Sequence, residues 1–263
     1  MRRVLLLGLL LGILAFPAIA GASSQKAPLG TPASHSFQGI SSVGPLFPPQ
    51  STTHICTASV VASRTKNLLI TAAHCLAGSV AGWTFAPGFH NGLAPHGYWT
   101  ITKAYGSPQW TADQNPKNDV AILVVAPKRV KGRVITIQSV TGANTLVTEP
   151  ASRTKITVPA YPAQVGGNPL TCATMVYYQS GYPAFNCNSY VAGTSGAPWI
   201  VHTSRGSSVV GVIGGLHQGG CYPWTSYSSP FTSSLKKTYA NAARGLHPTT
   251  FPVAGGDGCT GGP

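Results

Sequence analysis

Beyond residue 54 the chain alternates between short apolar runs and polar breaks, and few stretches are long enough to carry a helical stripe. Runs such as "ICTASVVAS", "NLLITAA", "GYWTITKAY", "DVAILVVA" and "RVITIQSV" are rich in β-branched or aromatic residues and stop at Gly, Pro, Asn or Ser. The second half repeats the pattern with "TKITVPAY", "CATMVYYQ", "APWIVHT" and "SVVGVIGGL". Strand-length runs at this spacing predict an all-β fold of antiparallel sandwich or barrel type. One segment differs. "TSSLKKTYANAARG" offers Ser or Thr as a cap, an Ala-rich body and Gly245 as a stop, which predicts a helix near the C-terminus. A loop across residues 140–150 divides two β units, and no internal repeat is evident.

The pattern also sets expectations for the ends. Arg2 and Arg3 precede an apolar run over residues 4–16, followed by Pro17 and the small residues Ala18, Ala20 and Ala22. The run is short of the roughly 20 residues a membrane-spanning helix needs. Residues 1–22 therefore read as a secretory signal peptide. Residues 23–50, rich in Pro, Gly and Ser, are expected to form an N-terminal extension or pro-segment. Residues 51–140 form the first β unit, 141–245 the second with its helix, and 246–263 a Gly-rich tail anchored only by Cys259. No later run is long enough to cross a bilayer, so an exported, monomeric protein is expected.

Composition changes this picture in two ways. Six cysteines, Cys56, Cys75, Cys172, Cys187, Cys221 and Cys259, all follow the signal. An even count in an exported chain predicts three disulfides. Spacing alone does not fix their pairing, although Cys56 with Cys75 is the natural local choice. Seventeen Lys and Arg stand against four acids: Asp113, Asp119, Glu149 and Asp257. The basic residues are scattered, with no arginine-rich arm or nucleic-acid module, so they allow only nonspecific attraction to polyanions. The same charge keeps an exported protein soluble.

"VAGTSGAPW" holds Ser195 between Gly193 and Gly196. A serine hydroxyl attacks well only when a base takes its proton. Among eight histidines, His74 in "LLITAAHCLAG" stands at the end of a β-branched run, beside Cys75. A histidine so placed serves equally as a structural residue. The base needs a carboxylate to orient it. Asp119 opens "NDVAILVVA", ahead of a core strand, whereas Asp113 lies in a polar loop, Glu149 precedes Pro150 and Asp257 lies in the tail. Asp119 is the orienter by elimination.

In that order, "TAAHC", "NDVAIL" and "GTSGAP" resemble the three catalytic motifs of the trypsin- or chymotrypsin-like serine peptidases. "HICTASVV", with His54 and Cys56, and the C-terminal helix extend the likeness over about residues 50–245. The resemblance implies two antiparallel β-barrels with the active site between them and peptide or protein substrates. It implies Ser195 as nucleophile, His74 as base, Asp119 as orienter and the N–H groups of Gly193 and Ser195 as oxyanion hole. It implies a Cys56–Cys75 disulfide and requires neither metal nor organic cofactor.

Two departures sharpen it. Thr194 stands where many animal members carry an aspartate that pairs with a new N-terminal amine, so that activation device is not expected. The nearer likeness is to bacterial glutamyl endopeptidases of the V8 type. Six residues before Ser195 stands Ser189, not an acid, which argues against cleavage after Lys or Arg. "VVGVIGGLHQGG" is similar to the glutamyl segment whose histidine binds a glutamate carboxylate, which assigns that role to His217. One extra residue at Gly214 and Gly215 shifts the register, so a neutral or aromatic P1 pocket stays open. Gly219 and Gly220 would lie along the substrate backbone, with Ser189, Tyr190 and the segment around Tyr227 as pocket walls. Cys172 pairs naturally with Cys187, leaving Cys221 with Cys259; the alternative joins Cys187 to Cys221. His90 and His96 match no zinc spacing. The competing reading is a catalytically silent, cationic binding protein on the same fold, against which the intact His, Asp and Ser set argues.

Overall fold

The computed structural model describes residues 26–148, 150–163, 168–204 and 206–259. The predicted signal peptide lies outside the described residues. Six antiparallel strands close the first barrel, in the order Val43–Phe47, Cys56–Val61, Leu68–Thr71, Ala121–Val125, Trp99–Tyr105 and Thr84–Phe85. Leu46, Val60, Leu69, Phe85, Trp99 and Leu123 fill it. Each such side chain stabilises the fold by about 1.5–3 kcal/mol relative to exposure.

The barrel begins earlier than the sequence pattern indicates. Val43–Phe47 is wholly buried, although it falls inside the stretch expected to be an extension. Gly44 and Pro45 interrupt the alternation that would announce a strand. Gly44 is needed there, because a Cβ would stand 2.2 Å from the Ala86 carbonyl oxygen. Farther upstream, His35–Ser36 pairs with Leu170–Thr171 of the second half, and the Asn188 N–H donates to the Pro32 carbonyl at 3.0 Å. The described part of the extension is thus fastened to both halves.

The second barrel is built from two sheets. The larger runs in the order Thr145–Leu146, Gly206–Val212, Pro198–Thr203, Lys155–Thr157 and Ala173–Met175; the smaller joins Tyr177–Gln179, Tyr182–Asn186 and Thr225–Tyr227. Thr145–Leu146 adds in parallel, while the rest pair antiparallel. Phe185 and Trp199 pack edge to face at 5.1 Å in its core.

The predicted helix spans Ser233–Arg244, with the Thr232 hydroxyl accepting from the Ser234 N–H and Gly245 ending it at φ 73°. Its buried Leu235 and Ala242 join Val61, Ile70 and Ile122 of the first barrel and Val209 and Val212 of the second in one cluster. The helix therefore seals the seam between the barrels. Asn144 crosses the same seam lower down. Its amide donates to the Ser59 hydroxyl at 2.9 Å and accepts from Ser207 at 2.5 Å. Two short helices, Pro108–Asp113 and Ile137–Thr141, carry no periodicity readable in the sequence. The first forms because Ser107 caps it, accepting from the Trp110 N–H, and Pro108 is preset for a helical start.

Candidate active site

His74 lies in the 3₁₀ turn Ala73–Cys75 that ends the Leu68–Thr71 strand, and a disulfide joins Cys75 to Cys56 on the neighbouring strand. Asp119 follows the 3₁₀ turn Pro116–Asn118 and precedes the Ala121–Val125 strand. Leu68–Thr71 and Ala121–Val125 are hydrogen-bonded neighbours, with Thr71 opposite Ala121. That register sets the two side chains together.

The Asp119 carboxylate is 0% exposed. Its Oδ2 lies 2.7 Å from His74 Nδ1, and its Oδ1 accepts the His74 backbone N–H at 2.8 Å. Oδ2 also accepts the Gly215 N–H at 2.8 Å. A buried carboxylate is tolerable only when satisfied in this way. Because Asp119 can only accept, Nδ1 carries the proton, and the His74 lone pair is left on Nε2. Gly214 is small for the same reason, since a Cβ there would approach Asp119 Oδ2 to 3.0 Å.

Ser195 is half-buried and lines one cleft with His74. Its hydroxyl makes no hydrogen bond to another described residue. Nor do the N–H groups of Gly193 and Ser195 have an acceptor among the described residues. Gly193 sits at φ 92°, and a Cβ would stand 2.3 Å from the Ala163 nitrogen. Gly196, at φ 79°, abuts the first barrel, where a Cβ would fall 2.2 Å from both the Thr57 carbonyl oxygen and Thr71 Oγ1. Its lack of a side chain thus serves the barrel seam.

Thr57, which sequence reasoning missed, ties the halves together here. Its hydroxyl donates to the Gly193 carbonyl and accepts the Tyr161 N–H, both at 3.0 Å, while its own N–H donates to the Ser195 carbonyl at 2.8 Å. Thr194 is buried, and its hydroxyl donates to the Val191 carbonyl at 2.7 Å. The loop before Ser195 is therefore closed by a neutral hydrogen bond at the position where an aspartate would have needed an amine.

The cleft, about 700 Å³, is walled on the first barrel's side by Ile55, Cys56 and Cys75. The second barrel contributes Val191, Ala192 and Ile213, and residues 217–223. Gly219 and Gly220 line it, at φ 118° and 131°. Ser189 does not: it is exposed at a turn with φ 76° and is not among the lining residues. Tyr190 touches the cleft, but its hydroxyl donates to the Val158 carbonyl at 2.5 Å and its ring packs on Phe185 at 5.1 Å. Burial pushes that phenol well above its ordinary range. It is a core residue with one face on the cleft. Tyr227 is likewise buried, in the small sheet.

His217 lines the cleft from the turn Leu216–Gly219, in left-handed backbone at φ 52°. Its Nδ1 is 2.9 Å from the Asp257 carbonyl oxygen, which can only accept, so Nδ1 carries the proton. The remaining disulfides are Cys172–Cys187 and Cys221–Cys259, and no described cysteine is free. Cys56, His74 and Cys75, and likewise His217, Cys221 and Cys259, cluster at ligand spacing. In each cluster the two sulfurs are bonded to each other, so neither offers a thiolate to a metal. Among the described residues no helix is long and apolar enough to cross a membrane.

A two-barrel fold with serine, histidine and buried carboxylate at the seam defines a class of hydrolases that act by acyl transfer. A family profile described as Trypsin matches residues 30–223. The chain belongs to the trypsin family and is a serine endopeptidase. Among solved structures it is similar to protease Anisep from Arthrobacter nicotinovorans, at 24% identity and TM-score 0.68, over 81% of this chain and all of that one. A thermostable serine protease, AL20, from an extremophilic microorganism matches at 23% identity and TM-score 0.64, over 78% and 97% of the two chains. A Glu endopeptidase matches at 14% identity and TM-score 0.61, over 82% and 98%. No curated protein sequence matches the chain.

Proposed function

We propose that His74, Asp119 and Ser195 form the catalytic triad of this endopeptidase, that it works outside the cell, and that it cuts preferentially after glutamate. The triad rests on one observation. The Asp119 carboxylate is fully buried, and the hydrogen bonds it accepts come from His74 and from the Gly215 N–H.

In the first step His74 Nε2 takes the Ser195 proton as Oγ bonds to the scissile carbonyl carbon. The oxyanion that forms is held by the N–H groups of Gly193 and Ser195. A single such donor is worth about a hundred- to a thousandfold in rate. The intermediate collapses as His74 returns the proton to the leaving amine, giving an acyl-enzyme. Water then repeats the sequence, losing a proton to His74 and releasing the acid and free Ser195. Asp119 stabilises the imidazolium at each half and stays ionised.

Export is supported by the signal-like residues 1–22 and by three disulfides, which persist in oxidising compartments. Glutamate at P1 is supported by His217. With Nδ1 engaged, its Nε2 can take a proton and donate a charge-assisted hydrogen bond to a carboxylate. A second reading, a neutral P1, is favoured by Ile213 and Ala192 in the same wall.

The test is to digest a mixed peptide pool with the wild-type protein and with Ser195→Ala, and to read the cuts by mass spectrometry. Cuts after Glu that vanish in the variant are expected. Cuts after Phe, Tyr or Leu would sink the glutamyl assignment alone, and cutting that survives in the variant would sink the triad.

A further inference from the structure

Residues 252–259 form a strap from one barrel to the other. It leaves the first barrel at Phe251, which is buried and exchanges backbone hydrogen bonds with Gly78 at 2.8 and 3.4 Å. The Gln114 side chain then holds it twice, donating to the Val253 carbonyl at 3.0 Å and accepting the Gly255 N–H at 2.7 Å. On the second barrel, Gln218 Nε2 donates to the Gly255 carbonyl at 2.6 Å and His217 Nδ1 to the Asp257 carbonyl at 2.9 Å. The Asp257 carboxylate accepts the Cys259 N–H at 2.9 Å, and Cys259 is bonded to Cys221 in the cleft wall.

His217 and Gln218 are adjacent residues in left-handed backbone, at φ 52° and 50°. That conformation is costly for residues with a Cβ and persists only where surrounding contacts over-determine it. Here the side chain of each is bound to a strap carbonyl. The strap thus supplies both the hydrogen bonds and the covalent closure that keep this turn in place.

We propose that the strap is a positioning element for P1 recognition. The Asp257 carbonyl fixes the proton on His217 Nδ1 and leaves Nε2 as the nitrogen that meets the substrate; the Cys221–Cys259 bond keeps that carbonyl there. This assignment rests on the glutamyl reading above.

Two variants test it. One ends at residue 254 with Cys221→Ser, which keeps Phe251 in the core; the other carries C221S and C259S in the full chain. Each is compared with wild type on paired peptides that differ only in Glu or Gln at P1. The truncated variant should lose about tenfold or more of the Glu-to-Gln ratio in kcat/KM, the scale of one hydrogen bond to a charged group. The loss should fall on KM, and more for the Glu peptide than for the Gln peptide. His217→Ala should lose a similar factor in wild type and nothing further in the truncated chain, because both remove one interaction. A truncated variant that keeps the wild-type ratio overturns the strap's role and leaves the glutamyl reading standing. A wild-type protein without Glu preference overturns that reading and the strap's role with it. Where the truncated chain cuts neither peptide, the double serine variant decides by the same ratio: a fall upholds the proposal and an unchanged ratio overturns it.

Discussion

His54 stands edge-on to Phe47 and Tyr161, with ring centroids 5.7 and 6.2 Å away, and is 4% exposed. Neither ring nitrogen has a hydrogen-bond partner among the described residues. Burial lowers its pKa from the ordinary value of about 6.5. Below that pH the unfolded chain takes up a proton that the folded chain refuses, so folding weakens as the medium acidifies. The stability this group contributes is complete above about pH 6.5 and is lost as pH falls towards the folded value. His54→Phe should flatten that part of the acid slope. Urea unfolding of both proteins at several pH values between neutral and acid measures it, and parallel slopes would refute the account. The pairing of His74 with Asp119 was legible because each stands at one end of a short apolar strand. The burial of His54 was not, since the rings around it come from Phe47 and Tyr161, far apart in the chain.

Among the elements, strands with unbroken β-branched runs could be read directly, and so could the capped helix Ser233–Arg244. Val43–Phe47 could not, because Gly44 and Pro45 serve the barrel's tight packing at the expense of the pattern. The Cys56–Val61 strand shows what sequence hides altogether. Its Thr57 faces Gly193 and Tyr161, which lie 136 and 104 positions away. Thr57→Val would keep the shape but leave the Gly193 carbonyl and the Tyr161 N–H unpaired. A stability loss of about 1–3 kcal/mol is expected. The loop carrying the Gly193 N–H would loosen with it, so kcat should fall more than KM rises. Denaturant titration with steady-state kinetics tests this; a stability loss with kcat unchanged would show that Thr57 serves only the fold.

For the whole molecule, the strand spacing indicated an all-β fold in two units and the family resemblance implied two barrels, but the fastening between the halves was not legible. It includes Thr57, Asn144, Gly196 and the terminal helix, all defined by contacts across the seam. Net charge acts at this scale as well. With a formal charge of +13 over the full chain, two of it from Arg2 and Arg3 in the signal-like segment, the molecule is expected to attract acidic substrates over distances that salt screens at about 10 Å in 0.1 M solution. kcat/KM for a strongly acidic peptide should therefore fall as ionic strength rises, while that for an uncharged peptide holds. Equal salt responses would remove charge steering from the account.

The seam has a further consequence in time. A chain emerging from synthesis folds its leading part first. The strands of the first barrel, with His74 and Asp119, all precede Ser195 in the chain. The helix that clasps both barrels, and the strap beyond it, come later still. The proposed triad is therefore complete only once the second barrel has docked on the first, so a chain with one barrel folded does not cut.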